Sequence, residues 1–154
     1  MDQDFKHDVA VIGCGRVGLP LALAFADRGL RTVGVDNNAV LLAAVQGGRM
    51  PFEEPGAQAV LDRVQVIWSD RIAAAADAKH VVITLGTPSF SHIEIDLSHI
   101  RGVVDDLLPH LREGHALTLR STIAPRTTEF VAGYLEKHRG FEAGTDVFVA
   151  HCPE

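Results

Sequence analysis

The stretch Val9-Ala10-Val11-Ile12-Gly13-Cys14-Gly15-Arg16-Val17-Gly18-Leu19-Pro20 constrains this chain more than any other. A short apolar run is followed by glycines at fixed offsets and then by an apolar-periodic segment, Leu21 to Ala26. The pattern predicts a buried strand, a tight turn and a helix. Each glycine has its own physical reason. Gly13 allows a sharp turn off the strand, Gly15 leaves room for a pyrophosphate at the backbone, and Gly18 allows close packing of the helix on the sheet. The free N–H groups and positive dipole end of that helix then face the phosphates.

The context strengthens the pattern. A second apolar run, Arg31-Thr32-Val33-Gly34-Val35, follows the helix and ends in Asp36. An acid about 20 residues past the glycines is where a dinucleotide fold places a carboxylate on the ribose hydroxyls. Asp36 would repel a 2′-phosphate, and Asn37 and Asn38, not arginine, come next. The expected cofactor is therefore NAD, not NADP.

At 154 residues the chain is long enough for one domain with a real core. A net charge of −6, with no basic stripe, argues against nucleic acid as a partner. Charges interrupt every apolar stretch, so no membrane span is expected. The polar, acidic start Met1-Asp2-Gln3-Asp4 lacks the basic end and apolar centre of a signal peptide. Cys14 and Cys152 form no CxxC pair, which fits reduced thiols in the cytoplasm.

In chain order, strands are expected at Val9–Ile12, 31–35, Val64–Ile67, Val81–Leu85, 116–119 and 147–150. Helices are expected at 16–27, 39–46, 57–63, from Ser69 or Asp70 to Ala76, at 97–111, and from Pro125 to His138. Gly29 is a candidate C-cap, and the prolines and glycines of residues 49–56 mark a loop. The alternation predicts an α/β fold, a Rossmann-type doubly wound, mostly parallel sheet of about six strands. Such sheets bind ligands at the carboxyl ends of the strands. Gly13 to Gly18, Asp36, Thr87, Ser121, Thr122 and Glu154 all fall there.

Several segments together resemble the nucleotide-sugar dehydrogenases, the family that includes UDP-glucose, GDP-mannose and UDP-N-acetylmannosamine dehydrogenases. They are the glycine turn to Pro20, Asp36, Glu54-Pro55-Gly56, Gly86-Thr87-Pro88, Ser121-Thr122 and Cys152-Pro153-Glu154. The Cys-Pro-Glu segment resembles most the members that oxidise UDP-N-acetylhexosamines. The resemblance implies oxidation of a sugar C6 alcohol to a carboxylate with reduction of two NAD, through a thioester on a cysteine of the enzyme. It places Gly13, Gly15, Arg16, Val17, Gly18, Asp36, Gly86, Thr87, Ser121 and Thr122 at the cofactor. Thr122 and Glu154 are the implied catalytic residues: Thr122 beside a catalytic water, and Glu154 as an acid/base or water-orienting group. The family's nucleophilic cysteine, with a lysine and an asparagine that stabilise the oxyanion, belongs to a later substrate-binding domain. Residues 1–154 are accordingly expected to be one NAD-binding domain, catalytically incomplete alone. The implied partner is a UDP-sugar, with no nucleic acid and no membrane, in a full-length homodimer or larger assembly. Pro125-Arg126 departs from the proline-glycine that many members carry.

Other features have plainer explanations. Cys152 beside Glu154 is a poor nucleophile, because a carboxylate disfavours the thiolate, and Cys14 is a packing residue. His92, Glu94, Asp96 and His99 match no zinc spacing, so no metal is expected. Trp68 is expected at the rim or on the adenine side. A non-catalytic nucleotide-sensing module of a potassium-transport regulator would share the glycine turn and the acid. It would have no reason to carry Glu54-Pro55-Gly56, Ser121-Thr122 or Pro153-Glu154.

Overall fold

Apolar, largely β-branched runs supply the strands β1 (His7–Ile12), β2 (Thr32–Val35), β3 (Val66–Ser69), β4 (Ala78–Ile83), β5 (Ala116–Leu119) and β6 (Phe148–His151). The computed structural model describes residues 5–85 and 97–153. Within them the strands form a single sheet of order β3-β2-β1-β4-β5-β6, parallel at every pairing. The helices are α1 (Gly18–Asp27), α2 (Ala39–Gln46), α3 (Ala57–Leu61), α4 (Ser98–Leu107) and α5 (Thr127–Arg139), with 3-10 turns at Ile72–Asp77 and Leu108–His110.

Strand alternation divides the core into two layers. Ala10, Ile12, Val33, Val35, Val81, Ile83, Leu117 and Leu119 face Ile100, Val104 and Leu107 of α4 and Val131 and Leu135 of α5. On the other face, Val9, Val11 and Val82 pack with Ala22 of α1, next to a cluster of Leu19, Leu23, Leu41, Leu42, Val45 and Leu61. This division follows from right-handed crossovers, with the chain winding one way through β1-β2-β3 and the other way through β4-β5-β6. Each fully buried Leu contributes about 1.5–3 kcal/mol by leaving water, so both layers are needed to hold the sheet.

At the amino edge, Asp8 accepts hydrogen bonds from the Arg31 backbone N–H (2.8 Å), Nε (3.2 Å) and Nη2 (2.7 Å). These hold its carboxyl down at about 2. Deeper at the same edge, His115 is fully buried. Its Nε2 lies 3.0 Å from the Ala76 carbonyl oxygen, and its Nδ1 lies 3.0 Å from the Arg112 backbone nitrogen and 2.8 Å from the Arg112 carbonyl oxygen. Phe5 packs edge-on against its ring at 4.8 Å. Burial, the largest influence, pushes the imidazole below its ordinary pKa.

The residues of α2 and β5 are those expected from sequence, and other boundaries shift for local reasons. β3 begins at Val66 because the Val64 N–H is taken by the Val60 carbonyl (3.1 Å) at the end of α3. β4 begins at Ala78, ahead of the apolar run, because it pairs with β1 from His7 onward despite exposed Lys79 and His80. The alanine-rich helix is a 3-10 segment without a side-chain cap; the Ser69 hydroxyl instead accepts from the Arg71 N–H at 3.1 Å. Trp68 is half-buried on the edge strand β3. It packs against the α1-side core over Gly34, where a Cβ would stand 2.3 Å from its ring.

The start of α5 explains the Pro-Arg departure. Ala124-Pro125-Arg126-Thr127 is a turn closed by the Thr127 N–H to the Ala124 carbonyl at 3.2 Å. Arg126 has φ 70 and ψ 9, which is the third position of a type II turn, a place that favours glycine. Arg126→Gly is therefore expected to raise stability by about 0.5–1 kcal/mol, measured by urea denaturation; a loss of stability would contradict the strain. His115 predicts a second effect. With its folded pKa lowered, it has no influence above about 6.5, where both states are neutral. Below that the unfolded chain takes up a proton that the folded chain refuses. Stability should then fall with acid by up to about 1.4 kcal/mol per pH unit. The fall should flatten in His115→Gln, as read from urea curves between pH 7.5 and 5.5.

Candidate cofactor site at the carboxyl edge of the sheet

The strand order lines up the ends of β2, β1, β4 and β5, which carry Asp36, Gly13, Leu85 and Ser121 in a row. β1 and β4 lie where the winding reverses, the place at which such sheets bind ligands.

β1 ends at Ile12, and the chain leaves it through Gly13 at φ 90, a left-handed conformation that a side chain disfavours. The Gly13 N–H bonds the Val35 carbonyl at 2.8 Å. α1 then returns so close that a Cβ on Gly18 would stand 1.7 Å from the Gly13 carbonyl oxygen and 2.4 Å from Thr84 Oγ1. The Thr84 hydroxyl donates to the Gly13 carbonyl, with the Ile12 carbonyl oxygen at 3.1 Å. Thr84 was not singled out from sequence, because it reads as one more β-branched residue at the end of an apolar run. Its position after β4, facing a glycine turn, is the signal that marks it.

Gly15 differs from its neighbours. A Cβ there would meet nothing within 4 Å, and the residue is exposed. The open space lies at the amino end of α1, whose first turn has neither a side-chain cap nor an acidic residue. The free N–H groups and positive end of the helix are thus left for an anion.

Asp36 is half-buried and holds this corner together. Its Oδ2 accepts from the Cys14 N–H at 2.7 Å and its Oδ1 from the Asn38 N–H at 2.8 Å. Asn38 in turn caps α2, its Oδ1 accepting from Val40 N (3.0 Å) and Leu41 N (3.1 Å). Each carboxylate oxygen keeps a lone pair for another donor. Cys14 is fully buried, and burial, aided by the Asp36 charge, pushes its thiol up to about 12. It is packed in the core beside Leu19 and Leu23.

The ends of β4, β5 and β6 are tied by side chains. Ser121 Oγ donates to the Leu85 carbonyl at 2.6 Å, and His151 Nε2 lies 3.3 Å from the Ser121 carbonyl. Arg120 Nη1 lies 3.4 Å from the carbonyl oxygens of Cys152 and Pro153 and from Cys152 Sγ. The Ser121 hydroxyl proton is thus engaged within the fold. Thr122, next in sequence, is exposed, and its hydroxyl has no partner among the described residues. Arg16 and Val17 are exposed in the turn. Gly86, Thr87 and Glu154 lie outside the described residues, as do His92, Glu94 and Asp96. Among the described residues no three His, Cys, Asp or Glu side chains are grouped to hold a metal.

A groove of about 740 Å³ lies elsewhere, between α1 and the face of β4 and β5, lined by Phe5, Leu21, Phe25, Val82, Thr118 and Arg120 among others. It contains neither Gly15 nor Asp36.

Comparison with known proteins accords with this geometry. The profile of the UDP-glucose/GDP-mannose dehydrogenase family, NAD binding domain, matches residues 7–154. The UDP-N-acetyl-D-mannosamine dehydrogenase of Methanococcus maripaludis is 32% identical over 160 residues, which cover 99% of this chain and 35% of that protein. The UDP-glucose 6-dehydrogenase of Pseudomonas aeruginosa is 34% identical over 128 residues, covering 80% of this chain and 28% of that one. The solved structure of the UDP-D-ManNAc dehydrogenase of Pyrococcus horikoshii superimposes with a TM-score of 0.88 at 31% identity, over 96% of this chain and 36% of that one. The chain thus spans about a third of the length of the relatives it matches. Its cofactor is NAD, and the open space at Gly15 beside Asp36 fits a dinucleotide. The chain belongs to the UDP-glucose/GDP-mannose dehydrogenase family, as its NAD binding domain.

Proposed function

We propose that this chain is the cofactor-holding part of a nucleotide-sugar 6-dehydrogenase that oxidises the C6 alcohol of a UDP-sugar to the uronate with two NAD. One observation carries the proposal. An open space at Gly15, the uncapped end of α1 and the Asp36 carboxylate stand together at the point where the sheet reverses its winding. Bound there, NAD supplies a hydride acceptor.

The rest is the work of the protein. Gly15 leaves its side-chain space to the pyrophosphate, and the end of α1 offsets the phosphate charge. Asp36 accepts the ribose hydroxyls on its remaining lone pairs and repels a 2′-phosphate. Thr122 offers an unengaged hydroxyl beside the cofactor to orient a water. Ser121 serves that loop through its bond to Leu85, more than as a ligand in its own right. Gly86 and Thr87, next after Leu85 in sequence, are proposed cofactor residues through the family resemblance. Glu154 follows the Cys152-Pro153 segment that Arg120 touches, and supplies the acid/base or water-orienting carboxylate. The nucleophile and oxyanion groups come from outside these residues, so the chain alone binds NAD without turning over sugar.

The substrate reading is tested on the longest native form of the protein, with a panel of UDP- and GDP-sugars. Two NADH released per UDP-sugar consumed is the expected result. One NADH per sugar, or no turnover despite saturable NAD binding, would contradict it. The cofactor residues are tested on this chain. Gly15→Val should lower NADH affinity by about 100-fold or more, with an unchanged circular dichroism spectrum, because a Cβ there meets nothing within 4 Å. Asp36→Asn keeps an acceptor for the turn but loses the charge. It should weaken NADH by about tenfold and narrow the gap to NADPH; unchanged affinity and selectivity would remove the ribose assignment.

A further inference from the structure

We propose that Phe52 is a positioning residue that holds the Arg16 guanidinium ready for the pyrophosphate of the dinucleotide. The inference rests on the cofactor reading above and deepens it.

Arg16 lies between Gly15 and the first turn of α1, and its guanidinium carbon sits 5.2 Å from the centroid of the Phe52 ring. Three other arginines pair with acids, Arg31 with Asp8, Arg63 with Asp27 and Arg101 with Asp105, whereas Arg112 and Arg139, like Arg16, lie over aromatic rings. Arg16 has no ion pair among the described residues, although Glu53 and Glu54 are the next residues after Phe52. The difference has a chemical consequence. A carboxylate would cancel the charge and occupy the N–H donors. An aromatic face attracts the cation and leaves the in-plane N–H groups free to reach an anion. The positive end of α1 repels Arg16 when no anion is present, and the ring offsets that repulsion.

Phe52 is itself anchored. It packs against the cluster of Leu19, Leu41, Leu42 and Leu61. Its loop is stapled to α3 by Gln58, whose Oε1 accepts from the Met50 N–H at 2.9 Å and whose Nε2 donates to the Gly48 carbonyl at 3.0 Å. The same Nε2 lies 2.7 Å from Asp62 Oδ1. A fixed ring limits the rotamers of a long, otherwise mobile side chain, so less freedom is lost when phosphate binds. The segment from Gly48 to Gly56, whose Met50 and Phe52 also pack on the core, becomes the outer wall of the phosphate site.

The test is a double-mutant cycle on NADH binding to this chain, by titration calorimetry, with circular dichroism checking each fold. Arg16→Ala should weaken NADH about tenfold. Phe52→Leu, which keeps the apolar anchor, should weaken it about three- to fivefold. The double variant should be no weaker than Arg16→Ala, and Phe52→Tyr should restore binding to within about twofold. Without ligand, the ring-current shift of the Arg16 side-chain protons should vanish in Phe52→Leu and persist in Phe52→Tyr. An equal loss from Phe52→Leu in both backgrounds would overturn the positioning role. So would wild-type affinity in Arg16→Ala while Gly15→Val still abolishes binding, a result that leaves the cofactor reading intact. A chain that binds no NADH at all overturns both.

Discussion

No side chain fits between Gly18 and the carbonyl of Gly13, and the rest of the site depends on that closeness. It brings the amino end of α1 down onto the end of β1, beside the hydroxyl of Thr84. The uncapped amino end of α1 is therefore set at the carboxyl edge of the sheet, next to the open space at Gly15. Were α1 displaced by the width of a methyl group, Ala22 would lose its packing on Val9 and Val11 of β1 as well. Packing and binding at this corner are two consequences of one steric constraint.

Asp36 is the second shared element. Its carboxylate is an architectural brace before it is a ligand, joining the glycine turn through Cys14 and the start of α2 through Asn38. A charged acceptor taking two backbone N–H groups is held rigidly, which suits the proposed contact with ribose. The arginine of the turn is held differently, by a ring and not by an acid. The site is thus assembled with its negative group already braced and its positive group unpaired, as suits a ligand that brings both hydroxyls and phosphates.

Much of this was legible in the sequence. The glycine offsets and the acid after the second apolar run mark the corner, because few other arrangements need those residue types at that spacing. α2 and β5 were legible because both have clean boundaries: Asn38 and Gly47-Gly48 for one, Arg120-Ser121 for the other. What escaped was decided by tertiary contact. Lys79 and His80 hid the start of β4, since their exposure overrode the apolar pattern while β1 supplied the pairing. Trp68 gave no sign of packing over Gly34, its partner on the neighbouring strand. The Pro125-Arg126 pair was legible as a departure, and only the φ of Arg126 tells what it costs locally. The pairing of Arg16 with Phe52 spans a helix, a strand and a second helix, beyond the reach of any local pattern.

The central claim is that the corner of Gly13 to Gly18 and Asp36 to Asn38 holds the dinucleotide. The most direct measurement is an amide NMR titration of this chain with NAD. The account predicts saturable shifts in residues 13–18 and 36–38 and in the Ser121-Thr122 segment, with the amino edge around His115 unmoved. Shifts gathered instead around Phe25, Val82 and Thr118 in the groove beside α1, with the glycine turn silent, would contradict it.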